Sequence, residues 1–136
     1  MKLSYNVYVM TYGSLMNGYH NHQFMENAKG TYVGKAKSIE ANYDMISMHG
    51  SFPAIIPGNK RFTGELYSVP MEGVVNSLDF LEGYPDFYDR VPIKVECNGQ
   101  EYNAIVYVLS KGALKSYNLT NKTKVFESDG YYTWLK

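Results

Sequence analysis

Few side chains in this 136-residue chain combine the chemistry and the setting to act on a substrate, and Glu82 stands first among them. It lies in the run Leu78-Asp79-Phe80-Leu81-Glu82-Gly83-Tyr84-Pro85, where Gly83 marks a helix stop. The carboxylate therefore falls at a helix C-terminus. Aligned peptide dipoles leave partial negative charge there and disfavour an anion by up to ~1 kcal/mol. A glutamate held against that field, and drawn out of water as well, has its pKa raised toward the range of a general acid/base. Two readings stand on local physics. Glu82 is a surface acid at a frayed helix end, paired with Arg90 or a lysine, or it is a working acid walled in by Tyr84, Pro85 and Tyr88.

The second constellation is Tyr12-Gly13-Ser14-Leu15, at the exit of the first strand-like run. A glycine there lets the backbone bend and approach a ligand closely. Successive amide N–H groups in such a bend form a concave site for an anion such as a carboxylate. An ordinary tight loop is the competing reading. No other nucleophile or metal site emerges. Cys97 sits on the alternating apolar face near a hairpin turn and reads as a packed residue. Ser14 has no histidine and acid arranged to activate it. His20, His22 and His49 are too scattered to ligate one ion. Lys35, Lys37, Lys122 and Lys124 read as solvated faces, and no dinucleotide or P-loop glycine pattern is present. One carboxylate and one anion-binding loop suit a reaction in which the substrate supplies its own nucleophile.

The elements that must position these groups read as follows. Asn6 to Tyr12 alternates as a strand and breaks at Gly13-Ser14. A short helix is predicted from about His22 to Ala28, capped by Asn21, with Phe24, Met25 and Ala28 as its apolar face and Gly30 as its stop. Residues 31–48 are strand-like, with breaks at Gly34 and Asn42. Ala54-Ile55-Ile56 is a brief apolar piece, Pro57-Gly58-Asn59 a turn, and Phe62 to Val69 a further strand. Val74, Leu78 and Leu81 share one helix face. Val91, Ile93, Val95 and Cys97 alternate, Asn98-Gly99 makes a two-residue turn, and Tyr102, Ala104, Val106 and Val108 alternate back. That is a hairpin with a type I′ turn. Residues 111–136 are polar with aromatic islands (Phe126, Tyr131, Tyr132, Trp134) and are expected to wrap the surface, pinned by those rings. The expectation is one α+β domain over 1–136. Its body is a small mixed, mostly antiparallel β-barrel of about six strands with two or more short helices.

Composition narrows the function classes. The 13 basic and 13 acidic residues cancel, so nothing electrostatic points to nucleic acid or an anionic membrane. A single cysteine excludes an internal disulfide and a thiolate cluster. No stretch approaches the ~20 apolar residues of a membrane span, and the first residues lack a signal-peptide pattern. A soluble, cytoplasmic protein is expected, a monomer or weak homodimer. The 14 tyrosines suit pocket walls, since each packs a ring and satisfies a hydroxyl.

Taken in order, these residues resemble the γ-glutamylcyclotransferase-like family. Tyr12-Gly13-Ser14-Leu15, then Gly18 and Asn21-His22, is similar to its N-terminal signature. Gly50-Ser51-Phe52-Pro53-Ala54 resembles its Gly-x-Tyr-Pro-Ala segment, and Gly64-Glu65-Leu66-Tyr67 its Gly-Glu-Leu-Tyr strand. Leu78 to Tyr84 with Tyr88 and Arg90 resembles its Leu-Asp-x-x-Glu-Gly-Tyr and Tyr-x-Arg block. The likeness spans roughly residues 7 to 108, and is nearest to the compact γ-glutamylamine cyclotransferase (AIG2-like) branch. It implies a cofactor-free enzyme that cleaves a small γ-glutamyl amide to 5-oxoproline and a free amine. It further implies Glu82 as the proton shuttle, the backbone of Tyr12, Gly13, Ser14 and Leu15 as the carboxylate holder, and Tyr88 as an orienting residue. Met16-Asn17 replaces the basic pair common in the spacer and leaves the leaving amine open. A binding module for γ-glutamyl or amino-acid ligands, and a protein-interaction domain on the same fold, are the alternatives.

Overall fold

In the computed structural model of the chain, residues 5–13, 15–16, 21–48, 52–115 and 122–134 are described. Five strands close on themselves: β1 (Asn6–Thr11), β2 (Thr31–Ser38), β5 (Arg61–Pro70), β6 (Tyr88–Cys97) and β7 (Gln100–Leu109). Their order is β1-β7-β6-β2-β5, and β5 pairs back onto β1 to complete the barrel. Closure removes the open edges that would otherwise invite further pairing. Every barrel contact is antiparallel except β1 with β7, where Tyr8 faces Ala104 and Met10 faces Val106 in parallel register. A hairpin of β3 (Tyr43–Met48) and β4 (Phe52–Pro57) lies against the barrel.

The alternation along these strands sorts residues between two cores. Met10, Ala36, Phe62, Leu66, Ile93, Val95, Ala104 and Val106 come from all five barrel strands and fill the interior. Val9, Val69, Tyr107 and Leu109 point outward and are covered by Met25, Ala28, Val74, Leu78, Ile46 and Met48. Each fully buried Leu, Ile, Phe or Met side chain contributes on the order of 1.5–3 kcal/mol. The outer cover comes from β3, from α1 (His22–Asn27) and from a continuous helical stretch of α2 (Met71–Gly73), a π-helical turn Val74–Leu78, and α3 (Asp79–Glu82). The shared face of Val74, Leu78 and Leu81 is the one that packs inward.

Several expectations are revised. The strands number nine among the described residues, since β3, β4, β8 (Val125–Ser128) and β9 (Tyr131–Trp134) are short pieces with weak patterns of their own. The first strand ends at Thr11, one residue early. Gly34 does not break its strand; it sits at a bulge in the β2–β5 pairing. At the end of α1 the left-handed residue is Lys29 (φ 62°), not Gly30, whose N–H bonds back to the Met25 carbonyl at 3.0 Å. Asn21 occupies the cap position without a side-chain cap bond. The tail is more regular than expected: α4 (Lys111–Leu114) is followed by the β8–β9 hairpin, and β9 runs parallel to β5. Trp134 enters the barrel core at 4% exposure, whereas Phe126 stays 54% exposed and pins nothing. The hairpin of β6 and β7 turns at Asn98 and Gly99, both at positive φ (53° and 78°), as a type I′ turn requires. Among the described residues no helix is long and apolar enough to cross a membrane.

Candidate active site

The buried end of β1 runs into the bend at Gly13 beside the start of β4, and glycine decides how closely the two approach. A Cβ on Gly13 would lie 2.7 Å from Pro53 Cγ, so the bend is pressed against the β4 wall. The close approach that the sequence reading assigned to a ligand is thus made first to Pro53. Gly13 opens a turn in which its carbonyl accepts the Met16 N–H at 3.0 Å, and Leu15 is buried beneath it. The next strand makes the same demand: a Cβ on Gly64 would fall 1.7 Å from the Thr11 carbonyl oxygen.

Glu82 is the last residue of α3, and Gly83 takes the left-handed conformation (φ 65°, ψ 36°) that ends the helix. The Tyr84 N–H bonds to the Asp79 carbonyl at 3.0 Å and the Gly83 N–H to that of Phe80 at 3.4 Å, a Schellman closure. Among the described residues no hydrogen bond or ion pair engages the Glu82 carboxylate. Arg90, offered above as its partner, is committed elsewhere: its Nε and Nη2 meet the two oxygens of Asp79 at 2.9 and 3.1 Å. Its guanidinium also stacks 4.3 Å from the Tyr84 ring centre. The Glu82 carboxyl is pushed from 4.5 up to about 7, by burial first and by the negative charge of Asp79 one turn earlier second. The residue is only partly exposed and contributes to the lining of a cavity. Burial, one of the two causes named from the sequence, is thus the largest contribution, ahead of the Asp79 charge.

The cavity holds about 200 Å³. Tyr12, Gly13, Leu15, Glu82 and Tyr88 all line it, together with Asn21, Phe52, Pro53, Phe87 and Tyr107. Ser14 lies outside the described residues, as do His20 and His49. Its volume falls below the roughly 300–1,000 Å³ of pockets for drug-sized ligands and matches a ligand of amino-acid size. Hydrogen bonds lock its walls. Tyr88 Oη donates to the Pro53 carbonyl at 2.7 Å, tying β6 to β4. Tyr12 Oη donates to the Tyr107 carbonyl at 2.5 Å and accepts the Ile55 N–H at 3.3 Å. Tyr107 Oη donates to Asp79 Oδ1 at 2.6 Å. His22 Nδ1 lies 2.8 Å from the Leu15 carbonyl oxygen, which steadies the turn from outside the cavity. No described lining residue is Lys or Arg.

Sequence reasoning gave no role to Asp79 or Tyr107. Asp79 was discoverable, because acids at i and i+3 share a helix face and each perturbs the other. Tyr107 carried no such signal: it is one of 14 tyrosines in an alternating strand.

A closed barrel that presents one raised-pKa carboxylate to an amino-acid-sized cavity is the layout of a small proton-transfer enzyme. The comparisons narrow that class. The family model "Gamma-glutamyl cyclotransferase, AIG2-like" matches residues 9–133, and the chain belongs to that enzyme family. A Methanocaldococcus jannaschii protein, provisionally named a gamma-glutamylcyclotransferase, is 33% identical over 104 residues, 74% of this chain and 82% of that protein. The gamma-glutamylaminecyclotransferase C of Danio rerio is 32% identical over 95 residues, 65% of this chain and 62% of the relative. The crystal structure of a mouse AIG2-like protein superposes with a TM-score of 0.73 at 23% identity, covering 93% of this chain and 91% of the mouse chain, and shares the fold.

Proposed function

We propose that this protein releases a free amine and 5-oxoproline from a small γ-glutamyl amide. The substrate's α-amine attacks its own γ-carbonyl, the C–N bond to the leaving amine breaks, and a five-membered lactam closes. Proximity is then supplied by the substrate itself, and the protein has only to fold it and move protons. Glu82 accepts the proton of the attacking ammonium and returns one to the departing amine. The turn after β1, through the backbone of Tyr12, Gly13, Ser14 and Leu15, holds the α-carboxylate by dipoles in place of charge. Tyr88 stiffens the wall behind it.

The single observation that carries this reading is the Glu82 carboxyl at the cavity wall with its pKa near 7. An α-ammonium titrates at about 8, so transfer to an ordinary glutamate near 4.5 is uphill by about 5 kcal/mol, and to Glu82 by only about 1.4 kcal/mol. The test is 5-oxoproline release from a panel of γ-glutamyl amines by the wild type and by Glu82→Gln. A rate loss of about 10²–10⁴-fold in the variant is expected. Turnover by the glutamine variant at the wild-type rate, or none by either protein while ligand still binds, refutes it.

A further inference from the structure

Asp79 makes three hydrogen bonds that no step of the proposed reaction uses. Arg90 Nε and Nη2 donate to its two oxygens at 2.9 and 3.1 Å, and Tyr107 Oη donates to Oδ1 at 2.6 Å. The donors stand on β6 and β7, so Asp79 fastens the single turn of α3 to two barrel strands. Glu82 ends that same turn. Side chains three residues apart on a helix are neighbours, with Cβ atoms about 5–6 Å apart. The Arg90 and Asp79 side chains are only 21% and 11% exposed, so salt screens the pair weakly. Helix geometry thus sets the negative member of an ion pair beside Glu82, while a bidentate clamp holds the positive member on Asp79.

We propose that the Asp79–Arg90 pair tunes the proton shuttle: Asp79 holds a fixed negative charge one turn from Glu82, and Arg90 both pins that charge and limits its effect. Asp79 and Arg90 are then positioning residues, which act on the substrate only through Glu82. The other ionisable groups nearby supply no comparable fixed charge. Tyr12 and Tyr107 keep their protons, since burial above all pushes both pKa values up. Tyr88 Oη donates to the Pro53 carbonyl, and His22 Nδ1 meets the Leu15 carbonyl. Tyr84 stacks on the Arg90 guanidinium. The π-helical turn before α3 has no ionisable side chain, and Glu72, Asp86 and Asp89 are exposed, where water and salt screen them. The shuttle serves the reaction proposed above, and the inference rests on that reading for its purpose, but the charge coupling is read without turnover.

The test follows the Glu82 side-chain carboxyl carbon by ¹³C NMR through its titration, in the wild type, Asp79→Asn, Arg90→Gln and Arg90→Lys. The pH limb of kcat/KM for 5-oxoproline release is measured beside it. Asp79→Asn removes the like charge and leaves the cation, so the Glu82 midpoint should fall by about half to one pH unit. Arg90→Gln leaves Asp79 unbalanced, and the midpoint should rise by about as much. Arg90→Lys keeps the charge and should stay closer to the wild type than Arg90→Gln does. The kinetic limb should move with each midpoint. Breaking one ion pair from its two ends thus displaces Glu82 in opposite directions, which a purely structural bridge would not do. Unmoved midpoints in both charge-removing variants, or shifts in the same direction, overturn the proposal. If Asp79→Asn does not fold, the Arg90 variants decide, and an unmoved midpoint in Arg90→Gln or equal rises in both overturns it. Midpoints that shift as expected in a protein releasing no 5-oxoproline would fault the reaction and leave the coupling standing.

Discussion

Replacing Glu82 with glutamine should remove turnover and, in alkaline solution, make the protein more stable. The carboxyl titrates at 4.5 when unfolded and at about 7 when folded. Between those values the native state holds a proton that the unfolded chain has lost. Stability therefore falls as pH rises through that window and stays low above it. At 1.36 kcal/mol per unit, the cost to the wild type is about 3.3 kcal/mol at pH 8 and about 0.8 kcal/mol at pH 5. The higher figure is a ceiling, since the cavity is partly open to water. Glutamine has nothing to ionise and avoids the cost. Urea denaturation of both proteins, followed by the fluorescence of the single tryptophan, Trp134, reads the difference. With a slope of about 1–3 kcal/mol per molar urea, the midpoint of Glu82→Gln should exceed that of the wild type by about 1–2 M at pH 8. The gap should shrink to a few tenths molar at about pH 5. A gap of the same size at both pH values would refute the reasoning, because it would mean that burial does not perturb Glu82.

The same carboxyl should shape the kinetics. kcat/KM for 5-oxoproline release is expected to rise with pH on a limb centred near 7, where Glu82 ionises, and measurement from about pH 5 to 9 checks it. Gly13→Ala places a methyl 2.7 Å from Pro53 Cγ, and should cost about 1–3 kcal/mol in denaturant while raising KM as the turn is displaced. Gly64→Ala sets its methyl 1.7 Å from the Thr11 carbonyl oxygen, between backbones that cannot yield; circular dichroism should find little folded protein. Trp134→Ala empties a core position filled from the tail and should cost about 3–5 kcal/mol by urea melt, where a loose surface wrap would cost nearly nothing.

How much was legible depends on the reach of each signal. The β6–β7 hairpin, the helix face of Val74, Leu78 and Leu81, and the stop at Gly83 rest on period and turn chemistry within a few residues, so the chain alone determined them. Family motifs likewise marked Tyr12, Gly13, Leu15, Glu82 and Tyr88 as companions, and the structure places them around one cavity. Closure of the barrel was beyond such signals. It depends on β1 pairing in parallel with β7, some 95 residues away, and on a tryptophan from the tail entering the core. Glycine follows the left-handed Lys29 for a related reason: the Gly30 backbone lies against Met25, where a Cβ would come within 2.3 Å of its sulfur. The decisive property of the site was also tertiary. A helix end made Glu82 an unfavourable place for charge, but only the folded protein could show that Arg90 serves Asp79 and that burial does most of the work on the carboxyl. Residue types and short spacings are carried by the chain itself, whereas desolvation and hydrogen-bond direction exist only once distant segments have met.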